Sequence, residues 1–183
     1  MLAHKGTVPL HTERLLLRPL KVDDAEAMFM NWANDPEVTR YLMWHPHQSV
    51  EVTRTTLEKW QEEYLDASIY NWGIEYLPDN TIIGTISIND VDGTNHRAYI
   101  GYCIGQAWWG RGIVTEALRV VLDFGFREIG FQRLAAFHAV SNAASGRVME
   151  KAGMQREGIL RQYMLGKDGK YADCALWAAV REP

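Results

Sequence analysis

The segment Trp108-Trp109-Gly110-Arg111-Gly112-Ile113-Val114-Thr115-Glu116-Ala117 constrains this chain more than any other. It follows a run from Arg97 to Gly105 that reads as a strand. It opens a helix that continues to about Glu128, with Val114, Ala117, Leu118, Val121 and Leu122 on one face. Glycines at alternate positions let the backbone turn sharply and approach a ligand with no Cβ in the way. The first helical residues then leave unpaired N–H groups at the positive end of the helix dipole, a site suited to a pyrophosphate. Taken alone the turn has a second reading, because glycines beside a strand also serve simple chain reversal.

The flanks show what this strand–turn–helix unit joins. Met1 to Pro9 reads as a loose end, and Arg14 to Leu20 as a first strand bounded by charge and proline. Asp23 or Asp24 caps a helix through Met28, Phe29 and Trp32, and Asp35 caps a short helical piece to Leu42. Trp44-His45-Pro46-His47 is a loop, and Ser49 starts a helix to about Leu65. From Ile69 the period becomes two: Ile69–Leu77 and Thr81–Val91 form a hairpin around Pro78-Asp79-Asn80, and Arg97–Gly105 extends the meander. After the glycine turn and its helix come a strand, Arg133 to Val140, and a helix, Asn142 to Lys151, stopped by Gly153. A last hairpin pairs Met154–Leu165 with Tyr171–Val180. The order predicts one α+β (mixed α/β) domain spanning residues 1–183.

Composition removes several functions. A net charge of -4 argues against nucleic acid. No apolar run is long enough for a bilayer and no leader-like segment opens the chain, so a cytoplasmic protein is expected. Cys103 and Cys174 stand alone in apolar strand-like runs, as buried thiols rather than a disulfide or metal framework. The six histidines are scattered without an HExxH-like companion, so no metal is expected. A Rossmann reading fails because the turn follows an antiparallel meander and lacks the GxGxxG register. A Walker loop fails for want of Gly-Lys-Ser/Thr.

A second segment decides among the remaining readings: Asn142-Ala-Ala-Ser145-Gly-Arg147-Val-Met149-Glu-Lys151-Ala-Gly153-Met154. With it the chain resembles the GNAT acetyltransferase superfamily, and within it the RimJ/RimL-like ribosomal-protein N-terminal acetyltransferases. The resemblance runs from Thr12-Glu-Arg-Leu-Leu-Leu-Arg18 through Asn34-Asp-Pro-Glu-Val38 and Ile83-Gly84 to Glu157-Gly-Ile-Leu-Arg161 and Gly169-Lys-Tyr-Ala-Asp173. It implies a mostly antiparallel twisted sheet with helices on both faces and one splayed parallel strand pair holding acetyl-CoA. The superfamily pattern Q/R-x-x-G-x-G/A falls on Trp109-Gly110-Arg111-Gly112-Ile113-Val114. Trp109 replaces the polar first residue and Val114 the last small one, but the contacts are backbone N–H groups. Thr115 adds a hydroxyl near the phosphates. Tyr102, Cys103 and Ile104 offer strand backbone to the pantetheine amides, Asn142 caps a helix and contacts the same arm, and Arg147 pairs with the 3′-phosphate or with solvent.

The implied reaction is attack of an amine on a thioester carbonyl, which needs a proton acceptor and a donor for the leaving sulfur. Many superfamily members donate from a tyrosine at the place that Met149 occupies here. Ser145, one turn earlier on the same face as Asn142, is the candidate acid, with Tyr163 behind it. Glu75 and Asp90 are the candidate bases, each with the alternative of being an ordinary surface carboxylate, and water is a further relay. His45 or His47 contacts substrate or simply packs in its loop. Asp173 borders the acceptor site or satisfies backbone. By resemblance the acceptor is a protein or peptide α-amine, and a homodimer is implied. A small amine (aminoglycoside, polyamine or amino-acid derivative) and a non-catalytic acyl-CoA-binding module are the competing readings.

Overall fold

In the computed structural model, which describes residues 1–181, the chain builds one eight-stranded sheet in the order β1-β2-β3-β4-β5-β6-β8-β7. The last two positions of the expected domain lie outside the described residues. The strands are β1 (Leu10–His11), β2 (Leu15–Arg18), β3 (Tyr70–Tyr76), β4 (Thr81–Asp92), β5 (Arg97–Ile104), β6 (Arg133–Ala139), β7 (Gln155–Leu165) and β8 (Tyr171–Val180). Every neighbouring pair is antiparallel except β5 and β6. The parallel pair requires a crossover, and α4 (Ile113–Phe124) supplies it. This is the mixed α/β arrangement expected, with helices on both faces.

The expected helix from Asp23 is shorter and less regular. A 3₁₀ turn, Val22–Asp24, leads into α1 (Ala25–Met28) and then a π turn, Phe29–Ala33. Asp24 is the N-cap residue of α1, but its side chain makes no cap bond, because the carboxylate is held by Arg18 and by the Lys21 N–H. Asp35 does cap α2 (Pro36–Thr39), accepting from the Glu37 and Val38 N–H groups. Ser49 caps α3 (Val50–Glu63) through Val52. The helix after the glycine turn widens into a π turn at Gly125–Ile129 rather than continuing as α-helix to Glu128. Asn142 caps α5 (Ala143–Lys151), and Gly153, at φ +94°, ends it.

Two apolar clusters lie on opposite faces of the sheet. The larger packs α4 and α5 through Ile113, Ala117, Leu118, Val121 and Met149 on Trp72, Ile74, Ile83, Ile86 and Leu134. The smaller seats α1 and α3 through Ala25, Met28, Trp32 and Leu57 on Leu20 and Ile82, with Cys103 at its edge. Burying each of the larger side chains is worth about 1.5–3 kcal/mol and each alanine methyl under about 1 kcal/mol, so the helices on both faces are firmly held. Among the described residues no helix is long and apolar enough to cross a membrane.

Candidate active site

The parallel ladder is short. It pairs Arg97 with Arg133, Ala98 with Leu134 and Tyr99 with Ala135, and goes no further. Beyond that vertex β5 continues to Ile104 against β4 alone, and β6 continues to Ala139 against β8 alone. The Gly105 N–H donates to the Ile83 carbonyl at 2.9 Å, which sets the alternation along β5. Cys103 and Gly101 therefore spend their backbone groups on β4, and those of Ile100, Tyr102 and Ile104 face the gap. The Ile104 carbonyl is capped by the Trp109 indole Nε1 at 2.8 Å. Of the three residues expected to offer backbone here, Tyr102 and the Ile104 N–H are so placed. Cys103 is not.

The wide end of the gap meets the start of α4. Gly110 and Gly112 stand at φ +74°, and Gly112 is an N-cap with no side-chain cap, so the N–H groups of Ile113, Val114 and Thr115 begin the helix uncapped. A Cβ on Gly112 would meet only the Arg14 Nη2, at 3.9 Å, so glycine is required by the left-handed backbone rather than by crowding. Arg111 is exposed at the lip, as is Arg147 on α5. A clamp absent from the sequence reading holds this turn. Glu116 Oε2 accepts from Arg14 Nη2 at 2.7 Å and Nε at 2.8 Å, Oε1 accepts from the Thr12 hydroxyl, and Arg14 Nη1 donates to the Arg111 carbonyl at 3.2 Å. Burial pushes the Glu116 carboxyl up, but the Thr12 and Arg14 bonds outweigh it and hold the group below its ordinary value.

Across the gap, the first turn of α5 carries Ser145. Its backbone N–H donates to Asn142 Oδ1 at 3.4 Å, and its hydroxyl lies 2.8 Å from the Tyr102 hydroxyl, which also reaches the Ser145 carbonyl at 3.2 Å. Burial pushes the Tyr102 phenol up to about 12, and the Ser145 bond opposes this only in part. The structure thus joins Tyr102, expected to act through its backbone, and Ser145, expected to act through its hydroxyl, into one hydrogen-bonded hydroxyl pair. Met149 is buried in the α4–α5 core. Tyr163 is half exposed, edge-on to Phe137 with ring centroids 5.0 Å apart, on the other face of the sheet.

The carboxylates separate cleanly. Glu75 is bound by Arg18, which also grips both oxygens of Asp24 at 2.8 and 2.9 Å, so its charge is spent inside an ion-pair cluster at the β2–β3 end. The expectation of Glu75 as a base is corrected on that ground. Asp90 instead lines a cleft of about 740 Å³ over β3 and β4, roofed by α1, α3 and the Trp44–His47 loop. A bulge between Asn89 and Asp92 puts Asp90 at φ +50°, and its charge is felt by Tyr163. Asn71, Thr85 and Ser87 pave the floor. His47 lines the wall, its Nδ1 2.8 Å from the Thr53 hydroxyl, and burial pushes its pKa down, so it is neutral at pH 7. His45 is exposed in the same loop. Asp173 accepts from the Gln162 N–H at 2.8 Å within the last hairpin, which is the backbone-satisfying alternative.

Comparison with known proteins agrees with this geometry. The model of the acetyltransferase (GNAT) domain family matches residues 14–155. The chain is 36% identical over 172 residues to the uncharacterized N-acetyltransferase YoaA of Bacillus subtilis, covering 94% of this chain and 96% of that protein. It is 28% identical over 187 residues to the ribosomal protein uS5-alanine N-acetyltransferase of Escherichia coli, covering 97% and 95%. A GNAT-family acetyltransferase from Bacillus anthracis superposes with a TM-score of 0.82 at 26% identity, covering 94% of this chain and 98% of that one.

Proposed function

The chain belongs to the GNAT acetyltransferase family and is an acetyl-CoA-dependent N-acetyltransferase, and from that premise we propose that its acceptor is the α-amine of a protein or peptide N-terminus. The observation that carries this is the open cleft over β3 and β4, floored by the Asn71 amide and the Thr85 and Ser87 hydroxyls, groups able to pair with a peptide backbone. Likeness to an enzyme named for ribosomal protein uS5 alanine supports the same reading.

Acetyl-CoA supplies the acetyl group as a thioester. The residues present fit it: an uncapped helix start behind Gly112 for the pyrophosphate, and an open edge of β5 at Ile100, Tyr102 and Ile104 for the pantetheine amides. The solved microcin C7 self-immunity acetyltransferase, a protein of similar fold, was captured with acetyl-CoA and AMP. Asn142, Thr115, Ile113, Val114, Gly110 and Arg111 shape this donor half, and Arg147 neutralises phosphate charge at its rim. The amine nitrogen bonds the acetyl carbon as the C–S bond breaks. The Tyr102–Ser145 pair gives a proton to the departing sulfur. The amine's proton leaves through Asp90 or the water of the cleft, and Asp90 replaces Glu75 as the base. Steady-state assays of thiol release with N-terminal peptides against small amines test the proposal. Turnover on peptides at kcat/KM at least about tenfold above any small amine supports it. The reverse order overturns it.

A further inference from the structure

The acceptor cleft has a chemistry that acetyl transfer alone does not demand. Among the described residues its charged lining consists of the carboxylates Glu63 and Asp90, beside the neutral His47, with no lysine or arginine. Glu63 follows Trp60 by three residues on α3, so carboxylate and indole share one helix face, and Thr56 continues that face along the cleft. Trp44 lines the same space. A carboxylate beside indole rings holds an organic cation by charge and by the ring quadrupole together. The pairing of Glu63 with Lys59, at 3.5 Å, is a solvent-exposed helix pair and too weak to occupy the carboxylate.

The ends of the cleft differ. Tyr70 pairs with Ile88, so Ser68 and Ile69 share one end with Asn89 and Asp90, and Glu63 closes α3 just before them. Trp32 underlies the cleft from the smaller apolar cluster and is fully buried, so it shapes the wall without offering its indole N–H to a ligand.

We infer that the acceptor is a peptide with a cationic side chain close to its N-terminus, the cation seated against Glu63 and Trp60. The inference rests on the peptide reading above and narrows it to basic sequences. The test is kcat/KM for peptides of one sequence that carry Lys, Gln or Glu at positions two to four, assayed with the wild-type protein, Glu63→Gln and Glu63→Lys. The Lys peptide is expected to exceed the Glu peptide by about tenfold at low salt, less at high salt. Glu63→Gln should cut that ratio by about threefold to fivefold, and Glu63→Lys should invert it. Ratios within one variant cancel any loss of folded protein. Peptides acetylated without regard to charge, or a preference unmoved in Glu63→Lys, would overturn the inference and leave the peptide reading standing. Acetylation of an aminoglycoside or polyamine with no peptide turned over would overturn the reading and the inference with it.

Discussion

The glycine turn and the acceptor cleft face each other across one sheet, and they are built on different principles. The turn is local: Arg97 to Ala117 contain the strand edge, the two left-handed glycines and the uncapped helix start. In the binding mode proposed above it works through main-chain N–H groups, so Trp109 and Val114 would replace the family's polar and small residues without removing a contact. The cleft is assembled from Trp32, Trp44, His47, Glu63, Asn71, Ser87 and Asp90, drawn from separate elements and acting through side chains. One half grips a ligand common to all such enzymes. The other can change its acceptor by exchanging a few side chains on a fixed frame.

The largest effect should follow from attacking the turn where it depends on backbone. Gly112→Asp adds a negative charge at an anion site, and binding of acetyl-CoA should weaken at least about a hundredfold by calorimetry. Because Gly112 has φ +74°, any side chain there also costs about 1–2 kcal/mol of strain. Gly112→Asn separates the two effects, carrying the strain without the charge, and should keep most of the affinity. Equal loss in both variants would break the distinction between a backbone site and a side-chain site.

Next in size is the Tyr102–Ser145 pair, where the two halves meet. Ser145→Ala should lower kcat by about tenfold to a hundredfold with acetyl-CoA affinity little changed, and Tyr102→Phe should do the same. Since burial pushes the Tyr102 phenol up to about 12, it keeps its proton across the working range. The pH profile of kcat should therefore show no alkaline fall below about pH 10, the ordinary phenol value. An alkaline limb near pH 8 that disappears in Tyr102→Phe would assign the donor a lower pKa than the structure gives it.

How much of this was legible in the sequence follows the same division. Strand alternation is a local property, and β8 was read to the residue while most other strands were read to within one or two. Gly112 and Asn142 were legible because a turn or a cap is written in adjacent residues, whereas Ser145 was singled out through the family resemblance. Where β5 and β6 part company, after Tyr99 and Ala135, is set by packing between distant segments and left no local sign. The same holds for Glu75 and Asp90, alike as strand-borne carboxylates until Arg18 is seen to claim one of them. Tyr102 was read for its backbone because nothing near it in sequence points to Ser145, 43 residues away. The clamp of Thr12 and Arg14 on Glu116 spans about a hundred residues, although an acidic residue in the first turn of an uncapped helix was a usable hint.

That clamp offers a smaller test. Glu116→Gln keeps shape and one acceptor but loses the charge that draws Arg14, so the turn should loosen while the Tyr102–Ser145 pair is untouched. An increase of about threefold to tenfold in the KM for acetyl-CoA with kcat retained is expected. Arg14→Lys should give a similar shift, because an ammonium cannot span both Glu116 and the Arg111 carbonyl as the guanidinium fork does. A fall in kcat at unchanged KM would place the clamp in the chemistry instead.

The smallest effect should come from the two thiols, and it sharpens the contrast because Cys103 lies on β5 between the halves. Its sulfur is 3.3 Å from the Thr85 hydroxyl, and burial pushes its pKa up, outweighing the Thr85 bonds. Cys174 is buried in β8, and burial raises its pKa as well. A nucleophilic cysteine needs its thiolate, and both surroundings favour the neutral thiol. Transfer should therefore pass directly from donor to acceptor, with no acyl-enzyme. The double variant Cys103→Ala with Cys174→Ala is expected to lose some stability, about 1 kcal/mol per site from the small cavities, yet to keep kcat within about twofold once folded protein is counted. Initial-rate patterns should be intersecting in both proteins. Parallel lines in the wild type that become intersecting in the double variant, or an acetyl group found on Cys103 by mass spectrometry, would show that the strand between the two halves carries the acetyl group itself.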